Sequence, residues 1–280
     1  MSADHEDSGL MPPNPRRVLI AGCGDLGNRL APRLAGWEVH GLRRNVSKLA
    51  SGMVPVAADL SDPSTLDAVA GEWDAVVYTA TPGERTPEGY RQAYVAGMQA
   101  LLKRVRAARL IMVSSTAVFG QDDGARVDES SPTEPRRFNG EILLEAERVA
   151  ANAGGIIVRF SGIYGPGRDY LVRAVRAGPV KCRRDPPVWT NRIHSEDCAA
   201  ALAHVLELEQ PEPLYLASDA RPAPRWEVLQ WLAERLGAPG PIEARDDAGQ
   251  GKRIDANRLF ESGFALQYPD YRVGYGEMLK

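Results

Sequence analysis

Short apolar runs alternate with stretches of helical periodicity through the first 160 or so positions of this 280-residue chain. Residues 17–21, RVLIA, read as a buried strand running straight into a glycine-rich turn, and Leu26, Leu30 and Leu34 give the next segment a helical apolar face. Further strands are predicted at 37–42, 54–57, 74–78, 110–114 and 156–159. Helices fall between them, notably 86–106, with Tyr90, Tyr94, Leu101 and Val105 at helical spacing, and 141–152, rich in Leu, Ala and Glu. Strands and helices in this order predict an α/β fold, a doubly wound parallel sheet of the Rossmann type. After Tyr164 the alternation breaks into Gly- and Pro-rich segments, followed by a helix at 195–209, a short strand at 214–217 and a helix at about 225–236. That helix carries Trp226, Leu229, Leu232, Ala233 and Leu236 on one face, the pattern of a small second core.

Gly22, Gly24 and Gly27 stand in G-x-G-x-x-G spacing after the first strand, and each serves a separate purpose, respectively a tight turn, close backbone approach to a pyrophosphate, and close helix-to-strand packing. Asp25 and Leu26 fill the same turn, where free backbone N–H groups and the helix dipole favour phosphate. At the end of the second strand, an acidic residue would contact the ribose 2′-hydroxyl of NAD. This chain has Arg43 and Arg44 there, suited to a 2′-phosphate, so NADP(H) is the favoured cofactor and NAD(H) the alternative; an ordinary solvated basic loop end is the competing reading.

The expected division is a dinucleotide-binding domain at 16–165 plus 195–212, and a smaller, partly interleaved C-terminal substrate domain at 166–194 plus 213–280. Residues 1–15, rich in Asp, Ser and Pro, read as a disordered lead-in, with Met11 an alternative start. A formal net charge of −3 offers no basic field for nucleic acid, and no apolar run is long enough for a membrane span. Cys23, Cys182 and Cys198 lack metal-ligand spacing and suit a reducing, cytoplasmic setting; the four histidines are too scattered for a metal site.

Several segments together resemble the extended short-chain dehydrogenase/reductase superfamily, the group of NAD(P)-dependent epimerases and dehydratases. They are Ala58-Asp59-Leu60, Ala80 in YTATP, SSTAVFG at 114–120, GIYGPGR at 162–168, RIHSEDCAAAL at 192–202 and LYLASD at 214–219. The tail, GKRIDANRLFESGFALQYPDYRVGY, looks like that of an atypical subgroup of small bacterial members. The resemblance implies adenine contact by Asp59, a cofactor ribose lined by Thr79, Ala80 and Thr81, and Leu60 and Ser114 as further cofactor-binding residues. It also implies Ser115 at the catalytic serine position, with Tyr164, Gly165 and Pro166 beside nicotinamide and substrate. A homodimer through helices 86–106 and 141–152 is compatible with it.

Active members carry Tyr-x-x-x-Lys on the helix after the fifth strand, where the Lys charge lowers the Tyr pKa for proton exchange. Here the window reads PRRFNGEILLEAE, with Asn139 and Leu143 at those positions. Asn139 does not titrate, although its amide could hydrogen-bond a ligand, and Leu143 supplies no charge. Tyr164 is the candidate proton donor, with Tyr78 behind it, against a plain packing role in the GIYGPG turn. Ser115 and Thr116 could orient a carbonyl or cap the strand end. His194 reads as a helix start, and Arg168 and Arg192 as a clamp for an anionic small-molecule substrate or as surface residues. The expectation is an NADP(H)-dependent reductase or epimerase/dehydratase-like enzyme acting on a carbonyl or sugar-nucleotide compound. Alternatives are a non-catalytic NADP(H)-binding redox sensor and a lyase or isomerase that regenerates its cofactor each cycle.

Overall fold

A computed structural model describes residues 15–244 and 249–280, so most of the expected lead-in and Met11 lie outside the described residues. Seven strands make the central sheet: β1 (Arg16–Ala21), β2 (Trp37–Arg43), β3 (Val54–Ala57), β4 (Gly71–Tyr78), β5 (Val105–Ser115), β6 (Ile156–Phe160) and β7 (Leu214–Ala217). They are all parallel, in the spatial order β7-β6-β5-β4-β1-β2-β3. The order reverses between β1 and β4, which makes their carboxyl ends the switch point of a doubly wound sheet.

Helices cover both faces: α1 (Asp25–Leu30), α2 (87–102), α3 (Phe138–Asn152), α4 (Tyr170–Ala177), α5 (Ser195–Glu207), α6 (Arg225–Leu236), α7 (Asn257–Glu261) and α8 (Tyr271–Met278). Val18 and Ile20 face one side with Leu30 of α1 and Leu202 of α5, while Leu19 and Ala21 face the other with Leu101 of α2 and Ile142 of α3. Burial on both faces explains why β1 reads as a continuous apolar run rather than an alternating one. A third cluster joins Val172 of α4, Leu229 of α6 and Tyr271 of α8.

Two expectations change. The helix expected at 86–106 ends at Leu102, and Val105 instead opens β5, where it pairs with Gly71 of β4. The turns Arg91–Ala96 inside α2 are π rather than α. Strand 214–217, grouped with the smaller part by its position in the chain, is β7 of the central sheet; it pairs with β6 because Tyr215, Leu216 and Ala217 are buried on both faces. No helix among the described residues is long and apolar enough to cross a membrane.

A buried ion pair ties α3 to the sheet. Arg159 of β6 donates to both Glu147 oxygens, Nε to Oε1 at 2.9 Å and Nη2 to Oε2 at 2.7 Å, and the Ser114 hydroxyl of β5 donates to Oε1 at 2.6 Å. Both charged side chains are less than one-tenth exposed. Removing one partner strands the other charge, so Glu147→Ala is expected to cost about 3–5 kcal/mol in urea unfolding, and Glu147→Leu with Arg159→Met to recover most of it.

Candidate functional site

At the switch point the Thr79 backbone N–H donates to the Ala21 carbonyl at 2.8 Å, and its hydroxyl reaches the Gly22 carbonyl at 3.1 Å. Gly22 has φ +76°, and a Cβ there would stand 2.5 Å from Ala80 Cα, so only glycine lets the two strand ends close. A Cβ on Gly27 would meet Cys23 Sγ at 2.6 Å and Ile20 at 2.9 Å, so this glycine sets the packing of α1 on β1. Gly24 has only the Gly22 carbonyl, at 3.8 Å, near the place of its Cβ. It faces open space. The Gly22 and Cys23 N–H groups both donate to the Leu42 carbonyl, at 3.1 and 2.9 Å, so donors for a phosphate begin after them.

Gly22 and Gly24 form one wall of a cleft of about 540 Å³. Arg43 and Arg44 line it at the end of β2, Asp59 and Leu60 beyond β3, and Ala80 and Thr81 beyond β4. Arg43 Nη1 donates to the Lys48 carbonyl at 3.2 Å. Hydrogen bonds from the Ser61 hydroxyl and N–H, with the nearby Arg44 charge, hold the Asp59 carboxyl below its usual range. Lys48 and Gln92 also line the cleft and were not anticipated. Gln92 follows from the π turns of α2: Gly97 N–H bonds the Gln92 carbonyl, and the Tyr78 hydroxyl donates to the Ala93 carbonyl at 2.5 Å. The sequence signal is Gly97, where a Cβ would lie 2.8 Å from that hydroxyl.

Other expected site residues do not line this cleft. Leu26 is buried core, the Thr79 hydroxyl is turned onto the strand end, Ser114 is held by Glu147, and the Asp25 carboxylate pairs with arginines. The Ser115 hydroxyl accepts the Ala117 N–H at 3.2 Å and caps the short turn Thr116–Val118. Asn139 is half-buried in the first turn of α3, and Leu143 is core.

The proton-donor reading of the two tyrosines meets a physical obstacle. Burial raises both phenols well above their ordinary range, the reverse of what an acid catalyst needs. The Tyr164 hydroxyl packs against Gly274 of α8, where a Cβ would be 1.8 Å away, and its ring lies 4.5 Å from that of Tyr275. Arg192 is buried rather than at a surface, and its carbonyl accepts the Asp219 N–H at 2.7 Å. Burial lifts the Asp219 carboxyl to about 7, against the opposing pull of the Arg192 charge. His194 caps α5 by accepting the Glu196 N–H at 3.3 Å and stacks on Tyr268 with ring centres 3.9 Å apart.

The model of the NAD dependent epimerase/dehydratase family matches residues 18–216. A 3-diazoavenalumate denitrifying reductase from Streptomyces sp is 30% identical over 253 residues, 80% of this chain and 83% of the relative. A Methylobacillus flagellatus structure, assigned as an NAD-dependent epimerase/dehydratase, is 36% identical with a TM-score of 0.80, covering 95% of this chain and 98% of its own. MoeE5, solved with UDP-glucose and NAD, shares the fold at 21% identity and TM-score 0.79, covering 94% and 97%.

Asp219 binds its proton more tightly in the folded than in the unfolded chain, so its contribution to stability is present below pH 4 and lost as pH rises to about 7. Asp219→Asn is expected to flatten that decline, measured as urea midpoints between pH 4 and pH 8.

Proposed function

The chain belongs to the NAD dependent epimerase/dehydratase family, and we propose that it is an NADP(H)-preferring reductase working without the Tyr–Lys proton pair. One observation carries this reading: a cleft at the switch point lined by Gly22, Gly24, Arg43, Arg44, Asp59 and Ala80, together with a helix bearing Asn139 and Leu143 where a proton relay would stand. The residues fit the cofactor. Gly24 leaves room for a diphosphate, the two arginines can charge-pair a 2′-phosphate, and Asp59 and Leu60 border the adenine end. When bound, the reduced nicotinamide supplies a hydride.

The substrate best suited to such a site accepts hydride without needing a proton from the protein. A diazo carbon in its diazonium form is of this kind: a C–H bond forms, the C–N bond breaks, and its electron pair leaves with N₂, so atoms and charge balance with no proton transfer. The name of the Streptomyces relative points to the same class. Carbonyl and sugar-nucleotide compounds are the alternatives, and each would need a proton from water or from the substrate itself.

Titration by nicotinamide fluorescence is expected to show NADPH bound at least about tenfold more tightly than NADH, with the preference lost in the Arg43→Ala, Arg44→Ala variant. NADPH oxidation coupled to N₂ release from an aryl diazonium carboxylate, absent with UDP-glucose, is the expected turnover. Cofactor binding without oxidation across diazo, carbonyl and sugar-nucleotide panels would favour the redox-sensor reading, and failure to bind either cofactor would overturn both.

A further inference from the structure

Residues 165–168 of the second half make a tight turn against the residue that follows Gly24. Pro166 and Gly167, the latter at φ +79°, occupy its centre, and the Arg168 N–H closes it on the Gly165 carbonyl at 2.8 Å. Arg168 then projects onto the residue that follows Gly24: its Nε lies 3.1 Å from Asp25 Oδ2. Arg29 Nε holds the other Asp25 oxygen at 2.9 Å, and Arg29 Nη2 donates to the Pro166 carbonyl at 3.3 Å. Behind them Glu196 of α5 pairs with Arg29 and, at 2.8 Å, with Arg33.

The charges decide what this cluster is for. A carboxylate one residue beyond the open Gly24 wall repels any anion placed there, and at a few ångströms near a surface that repulsion is on the order of several kcal/mol before screening. Asp25 and Glu196 are set against Arg29, Arg33 and Arg168, which leaves a net positive cluster. Arg29 has all three nitrogens engaged by Asp25, Glu196 and Pro166. Arg168 uses only Nε among the described residues, and its side chain is 39% exposed. Arg33 likewise uses only Nη2, on Glu196, so of the two arginines with donors to spare Arg168 is the one held by Asp25, next to Gly24.

We propose that Arg168 is a cofactor-binding residue supplied by the substrate-side half: held beside Gly24 by Asp25, its guanidinium takes the diphosphate, so cofactor binding fixes the 165–168 turn against the glycine-rich turn. The inference rests on the dinucleotide reading of the cleft. Asp25 acts as the holder, keeping an otherwise mobile side chain at the diphosphate position.

The test is fluorescence titration of the full chain with NADPH and NADH at several salt concentrations, using wild type, Arg168→Gln, Arg168→Lys, Asp25→Asn and the Arg43→Ala, Arg44→Ala variant. Arg168→Gln is expected to weaken both cofactors about tenfold with their ratio unchanged, and to make binding less salt-dependent. Arg168→Lys should keep most of the affinity, and Asp25→Asn should bind at least as tightly as wild type, because the amide oxygen still accepts from Arg168 Nε and so holds it while the repelling charge is gone. Wild-type affinity and salt dependence in Arg168→Gln overturn the proposal. Equal weakening in Arg168→Gln and Asp25→Asn also overturns it, since Arg168 would then serve only to hold Asp25. If wild type binds neither cofactor, the dinucleotide reading itself fails; if wild type binds and only the Arg168 variants behave normally, this inference fails alone.

Discussion

The contact on which the cleft depends is the approach of Gly22 to Ala80 at the switch point. Strands β1 and β4 are neighbours, but the chain leaves them in opposite directions, and the space between their carboxyl ends is what a dinucleotide enters. Any side chain at position 22 would push Ala80 away and break the Thr79 bonds that pin the two strand ends together. The neighbouring glycines extend the same constraint: Gly27 lets α1 sit against Ile20 and Cys23, and Gly97 lets α2 close over Tyr78. Three absent methyl groups set the width of the cleft and two of its walls.

Polar groups on the carboxyl side of the sheet are arranged differently in its two halves. Beside β1, β2 and β3 the charges face the cleft, Arg44 exposed and Asp59 half-buried. Beside β5 and β6 they are internal: Glu147 and Arg159 bridge α3 to the sheet, and Ser114 completes the bond set. Buried pairs of this kind add little net stability, because desolvation offsets much of their attraction, although losing one partner is costly. The helix that would present a proton relay is thus clamped in register, although the relay positions hold Asn139 and Leu143.

Most of the framework was legible in the sequence because its signals are local. A buried strand, a glycine triplet and an arginine pair each occupy a few consecutive positions, and the structure puts Gly22, Gly24, Arg43 and Arg44 on one cleft. What the sequence concealed depends on contacts between distant segments. The extent of β5 is set by Gly71 across the sheet rather than by the helical spacing that includes Val105, and β7 joins the sheet although α4 and α5 separate it in the chain from β6. Gln92 reaches the cleft only through π turns, which no short-range pattern announces. Tyr164 looked like a proton donor because strand ends face ligands in such sheets, yet its side chain points the other way along the pleat, into the packing of α8.

That orientation bears on chemistry. A family built around a titrating tyrosine can lose it without losing activity only if the proton is no longer needed or comes from elsewhere. The nearest phenols are made less acidic by burial, and Asn139 does not titrate. Leu143 is core packing where the lysine charge would have been. Without the lysine charge the helix has no cation at that position to stabilise an oxyanion, which carbonyl reduction generates, or to repel a cationic electrophile whose charge disappears as hydride arrives. The missing relay therefore fits the proposed reduction, which ends in a neutral leaving group and needs no proton from the protein.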